Sequence, residues 1–203
     1  MKGLLLKDWY TLTRQLKFIL AMLVFFSILP GYSTVSFALV YAAMLPITAL
    51  AYDERSKWDE LAAMMPYSPR QIVAGKYLLG ILSIAGAVLI SSAVQFVTGL
   101  IRADFAVQEV MLMVVFTAFL AVILMSVNLP VMYAFGVEKG RILFMVVCGV
   151  VAFSGIGLAN TMVPKLGQMD ISPITFVVIG VAAVVILFLS MQISAGLYRR
   201  KNK

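Results

Sequence analysis

The sequence predicts an all-α integral membrane protein of six transmembrane helices with both termini in the cytoplasm. Three observations predict it. Of 203 residues, 63% are hydrophobic and only 12% are charged, too few polar groups to cover the surface of a soluble domain. The apolar residues fall into runs close to the roughly 20 residues that a helix needs to cross about 30 Å of hydrocarbon. Lysine and arginine are divided unevenly between the connecting segments: fourteen of the sixteen fall on one side, leaving only Arg102 and Lys165 on the other. By the positive-inside rule the rich side is cytoplasmic, so the chain begins and ends inside.

The chain reads as one domain over 1–203. Residues 1–17 form an amphipathic helix in the inner interface, with Leu5, Trp9, Leu12 and Leu16 on one face and Lys7, Thr11, Arg14 and Gln15 on the other. The first span covers about 18–31 and ends at the turn signal Pro30-Gly31-Tyr32-Ser33, so it forms a hairpin with the second span at 35–52. The others cover 72–101, 110–135, 142–159 and 174–198. Pro46 and Pro130 each remove a backbone donor and are expected to kink the second and fourth spans. Gln95, Ser91, Ser92, Asn128, Asn160 and Gln192 lie in spans and are expected to hydrogen-bond between helices.

Much chemistry is excluded. The chain has no histidine and a single cysteine, Cys148, inside an apolar run where a small packing residue is expected. No ionisable residue is expected well inside a span, which argues against ion-coupled transport. Neither Gly75-Lys76-Tyr77 nor Gly136-Val137-Glu138-Lys139-Gly140 fits a phosphate-cradling loop. No catalytic residue, metal ligand set or cofactor site is expected, and the net charge of +7 is placed in membrane-flanking clusters rather than on a nucleic-acid-binding face.

The segment between the second and third spans carries the remaining signal. Residues 53–66 combine helix formers with acidic residues at the start and a stripe of Trp58, Leu61, Met64 and Met65, and Pro66 and Pro69 stop the helix. A short helix along the membrane surface with an exposed apolar stripe is a docking element for a soluble partner.

At these residues the chain resembles the permease subunits of type-2 ABC exporters, in particular small permeases similar to those that export phenol-soluble modulins in staphylococci. The resemblance rests on the opening Met1-Lys2-Gly3-Leu4-Leu5-Leu6-Lys7-Asp8-Trp9, on Asp53-Glu54 and Trp58, on Pro66-Tyr67-Ser68-Pro69-Arg70, and on Ile72-Val73-Ala74-Gly75-Lys76-Tyr77. It implies that the loop is a coupling helix seated in a cytoplasmic ABC ATPase subunit, with Asp53, Glu54, Trp58, Glu60, Leu61 and Met64 as docking residues. ATP and Mg would be bound by that partner. It also implies pairing with a second copy or a related permease, and a place in the bacterial plasma membrane. The family's re-entrant element between the last two spans is shortened here to 160–173, with Pro164 and Gly167. A rival reading is a non-transporting membrane receptor or immunity protein that binds a peptide toxin without an ATPase.

Overall fold

The structure is a computed structural model, which describes residues 3–12, 17, 21, 25, 39–101, 107–146 and 173–201. All regular structure among these residues is helical. Helix α1 covers 3–12; a helical stretch at 39–42 leads through a turn into α2, Leu45–Arg55. The short α3, Trp58–Ala63, joins it to the long α4, Pro69–Ile101. Helix α5 is Val107–Phe135, α6 covers 137–146, and α7 is Pro173–Lys201.

Three of these helices are long and apolar enough to cross a bilayer: Pro69–Val97, Val114–Phe135 and Val177–Arg200. They correspond to the expected third, fourth and sixth spans. The expected first span, apart from isolated residues, and the outer part of the fifth lie outside the described residues, as do Leu16 and Asn160. Within the second, the chain turns at 43–44 and restarts at Leu45, so Pro46 occupies the first turn of α2. Proline is at home there, where its missing N–H has no intrahelical partner to lose, and it does not kink a continuous helix.

Pro130 does sit inside a continuous helix, α5, where it deprives the Ser126 carbonyl of its usual donor. A neighbouring helix supplies the replacement: Ser190 Oγ donates to Ser126 O. Ser190 also meets the Tyr77 hydroxyl at 2.5 Å, and Tyr77 meets Ser194 Oγ at 2.8 Å. These hydroxyls tie α4, α5 and α7 together. Of the residues expected to do this, Ser91 Oγ and Asn128 Oδ1 are buried without a hydrogen-bond partner among the described residues, and Gln192 is exposed.

The core is the seam between these helices, where Val73, Tyr77, Ala121, Met125, Leu129 and Met132 are buried together. Gly80 permits the closest approach, since a Cβ there would run into Met125 Sδ and come within 3.1 Å of Pro46 Cγ. Small residues play this part between membrane helices because lipid gives helices no hydrophobic reason to associate and close contact must supply it. The outer face of α7 leaves Val177, Val181, Val184, Val185 and Phe188 exposed.

Helix α1 turns one face to the bundle. Leu4, Asp8 and Leu12 are buried, Leu5 and Lys7 are half-buried, and Trp9 is exposed. Leu12 packs with Leu45, Ala49 and Leu79, and Leu4 joins the main core. The helix is thus docked on α2 and α4, with a carboxylate in the contact.

Candidate partner-docking site

The two-residue break before α3 is the first local feature of the site. Ser56 N–H donates to Tyr52 O at 3.0 Å and Ser56 Oγ to Asp53 O at 3.2 Å, closing α2. Lys57 then adopts φ 52°, a left-handed conformation uncommon outside glycine, and the chain restarts as α3 at a new angle. Asp59 and Glu60 in the first turn of α3 suit the positive end of its dipole. The expected continuous helix over 53–66 is therefore two helices. Downstream, Ser68 and Gln71 form a reciprocal box: Gln71 N–H donates to Ser68 Oγ at 3.3 Å, and Ser68 N–H to Gln71 Oε1 at 3.1 Å. Pro69 follows as the first residue of α4, so it starts that helix rather than only stopping the preceding one.

Beneath α3 lies a buried cluster of four charges. Lys76 Nζ is 2.8 Å from Asp8 Oδ1 and 2.7 Å from Asp53 Oδ2, while Lys7 Nζ is 2.5 Å from Asp53 Oδ1 and 3.1 Å from Asp8 Oδ1. Lys76, Asp8 and Asp53 are 2%, 3% and 7% exposed, so all three have left water. Two lysines balance two aspartates, which is the condition under which buried ions are tolerated. Asp53 sits near the C-terminal end of α2, where the helix dipole opposes a carboxylate, and the two ammonium groups outweigh that cost. Lys76 lies near the start of α4, and its charge is matched by groups from α1 and α2.

The candidate docking residues divide into two sets. Asp53 is committed to this cluster. Glu54 Oε2 accepts the Val137 N–H at 2.7 Å, capping α6. Trp58 is half-buried against the core, with the Lys7 ammonium 4.1 Å from its ring centroid. By contrast Glu60 is exposed, and Leu61, Met64 and Met65 are 50%, 85% and 40% exposed. One set fixes the base of α3, and the other faces away from the protein.

Two further contacts reach the remaining helices. Tyr198 Oη at the end of α7 donates to Asp59 Oδ1 at 3.1 Å, and its ring packs edge-on against Tyr133 of α5, with centroids 5.9 Å apart. Gly136, between α5 and α6, has φ 80°, and a Cβ there would lie 2.8 Å from Glu54 Oε1. Gly136→Ala is expected to destabilise the protein by roughly 1–3 kcal/mol through the left-handed backbone alone, with more from the displaced carboxylate. Thermal unfolding in detergent measures it, and an unchanged midpoint would refute the cap.

Most of this junction was hidden from sequence reasoning, because Asp8 and Lys76 are 68 residues apart and Glu54 and Val137 are 83 apart. One signal was available for Asp8, which interrupts the Leu4, Asp8, Leu12 stripe at helical spacing. Another was Ser68-x-x-Gln71 around Pro69, a start signal for α4.

No curated protein and no solved structure matches the chain. A family model described as ABC-2 family transporter protein matches residues 3–199, and the chain therefore belongs to the ABC-2 transporter family, membrane permease components that associate with an ABC ATPase.

Proposed function

We propose that this protein is the permease half of an ATP-driven exporter that carries a hydrophobic or amphipathic cargo, a membrane-active peptide in our reading, outward across the bacterial plasma membrane. ATP is hydrolysed by a separate subunit that docks on α3. The observation that supports this reading most is the division of α3 into an outward apolar face and an inward face built into the ends of the other helices. Leu61 and Met64 offer contact area to a partner. Asp53, Glu54, Trp58 and Asp59 transmit what happens there, since their contacts reach α1, α4, α6 and α7. Because Asp53 and Lys76 bracket the loop and pair with each other, the ends of α2 and α4 move as one body with α3. A rigid lever of this kind is suited to turn closure of an ATPase dimer into an alternating opening of the membrane helices. A second permease copy or a related chain completes the pathway.

The buried charges of the junction are paired with one another, so this reading needs no proton or sodium coupling. Export is expected to continue when both gradients are collapsed with ATP maintained, and an ABC ATPase subunit is expected to copurify with the permease. Loss of export under intact ATP would overturn ATP drive, and failure to copurify any ATPase would favour the receptor reading. Orientation is tested separately in a Cys148→Ser background. Ser56→Cys and Asn202→Cys are expected to resist an impermeant thiol reagent added outside, and labelling of Ser56→Cys would reverse the topology.

A further inference from the structure

Between the start of α2, the second half of α5 and α6 lies a cavity of about 390 Å³. Its lining is largely apolar, with Met44, Leu45, Met132 and Phe144 in its walls. Tyr41, Thr48, Asn128 and Arg141 interrupt it with polar groups; Thr48 Oγ1 already donates to Met44 O at 3.3 Å, and the last two bear on a ligand. Asn128 is 2% exposed, and its Oδ1 has no hydrogen-bond partner among the described residues. A buried amide oxygen is normally satisfied, so this one asks for a donor from a bound molecule. Arg141, one turn into α6, is exposed and has no carboxylate partner among the described residues. A guanidinium beside an apolar cavity selects a carboxylate or phosphate, which it can hold with two parallel hydrogen bonds.

Volume decides what else the ligand is. A helical peptide of about 20 residues is roughly 30 Å long and 10 Å wide, several times larger than this space. A molecule with one alkyl chain fits, and the cavity falls in the range of roughly 300–1,000 Å³ typical of small-ligand sites. Methionines in the wall adjust to a chain of no fixed shape. We propose that this cavity binds a single-chain anionic amphiphile, with its anion on Arg141, an N–H or O–H of its polar half on Asn128 Oδ1, and its chain among Met44, Met132 and Phe144. Such a molecule is supplied either as a free acyl compound or as a lyso-lipid of the bilayer, which share this chemistry.

The test is equilibrium dialysis of the full-length protein in a non-ionic detergent against labelled N-dodecanoylglycine, which carries a carboxylate and an amide N–H. Saturable binding is expected, and dodecyltrimethylammonium, with a similar chain and the opposite charge, is expected not to compete. Arg141→Gln is expected to weaken binding at least about tenfold, because hydrogen bonds to a charged group are the strong ones. N-dodecanoyl-N-methylglycine, which lacks the donor, is expected to bind more weakly than the parent to the natural protein and equally to Asn128→Leu. Since Asn128 is buried and its variant can fail to fold, Met145→Trp gives an independent arm. Met145 lines the cavity and is 70% exposed, so the larger side chain narrows the space without entering the core. Unchanged binding in Arg141→Gln and Met145→Trp, or equal competition by the cation, would overturn the site. A dodecanoyl lysophosphatidylglycerol that displaces the probe supports the same site and identifies the bilayer as its source. The site does not depend on the ATPase: Leu61→Ala with Met64→Ala, which is expected to release that subunit, leaves amphiphile binding unchanged.

Discussion

Replacing Lys76 with Met lowers the stability of the permease by about 3–5 kcal/mol, the usual cost of removing one partner from a buried ionic cluster. The lysine stands between Asp8 at 2.8 Å and Asp53 at 2.7 Å, so its loss leaves two buried carboxylates held by Lys7 alone. Met has nearly the same length and fills the same space, which confines the effect to charge. Unfolding in detergent with increasing denaturant reads it as a lower midpoint, and a midpoint equal to that of the natural protein would refute a buried cluster. The triple variant Lys76→Met, Asp8→Leu, Asp53→Leu removes all three of the most buried charges. Stability is expected to recover in large part, because replacing a whole buried ion set with apolar residues is often neutral or better. Lys7, whose side chain is 24% exposed, retains access to water. If the recovered variant folds but couples ATP hydrolysis poorly to export, the cluster serves the lever and not only the fold.

The parts of this molecule that were legible in the sequence are those whose cause is local. The apolar stretches of α4, α5 and α7 declare themselves because each helix meets lipid along its length and must be apolar all round. The outward placement of Leu61 and Met64 followed from helical spacing. The charged junction was not legible, because a lysine or aspartate near a membrane face looks the same whether it meets water or a partner from another helix. Asp53 and Glu54 illustrate the difference. Adjacent in sequence, they read as one acidic pair, yet one belongs to the cluster with Lys76 and the other caps α6 at Val137. The inward turn of Asp8 on α1 was not legible for the same reason, because its partner is the lysine of α4.

Truncating the outward face of α3 separates docking from folding, and this is the second large effect. Leu61 and Met64, at 50% and 85% exposure, contribute little to the core of this chain. Leu61→Ala with Met64→Ala is therefore expected to leave the unfolding midpoint of the isolated permease nearly unchanged. Retention of the ATPase subunit is expected to fall by about thirtyfold in affinity, because anchors that fill desolvated pockets are worth roughly 2 kcal/mol or more. Glu60→Lys adds a charge term at the rim that should weaken docking to a basic groove and fade as salt rises, since exposed charges are screened over roughly 10 Å at 0.1 M salt. Trp58→Ala behaves in the opposite order. Its ring packs on the core with the Lys7 ammonium 4.1 Å from its centroid, so its truncation is expected to cost roughly 2 kcal/mol of stability before any docking is measured. The measurements are subunit retention on purified permease and cargo-stimulated ATP hydrolysis, each beside an unfolding curve. A Leu61→Ala, Met64→Ala, Glu60→Lys variant that folds, holds its ATPase and hydrolyses ATP as the natural protein does would remove α3 from the docking surface. If that same variant instead fails to fold, these side chains are packed inward, and the exposure on which the assignment stands is wrong.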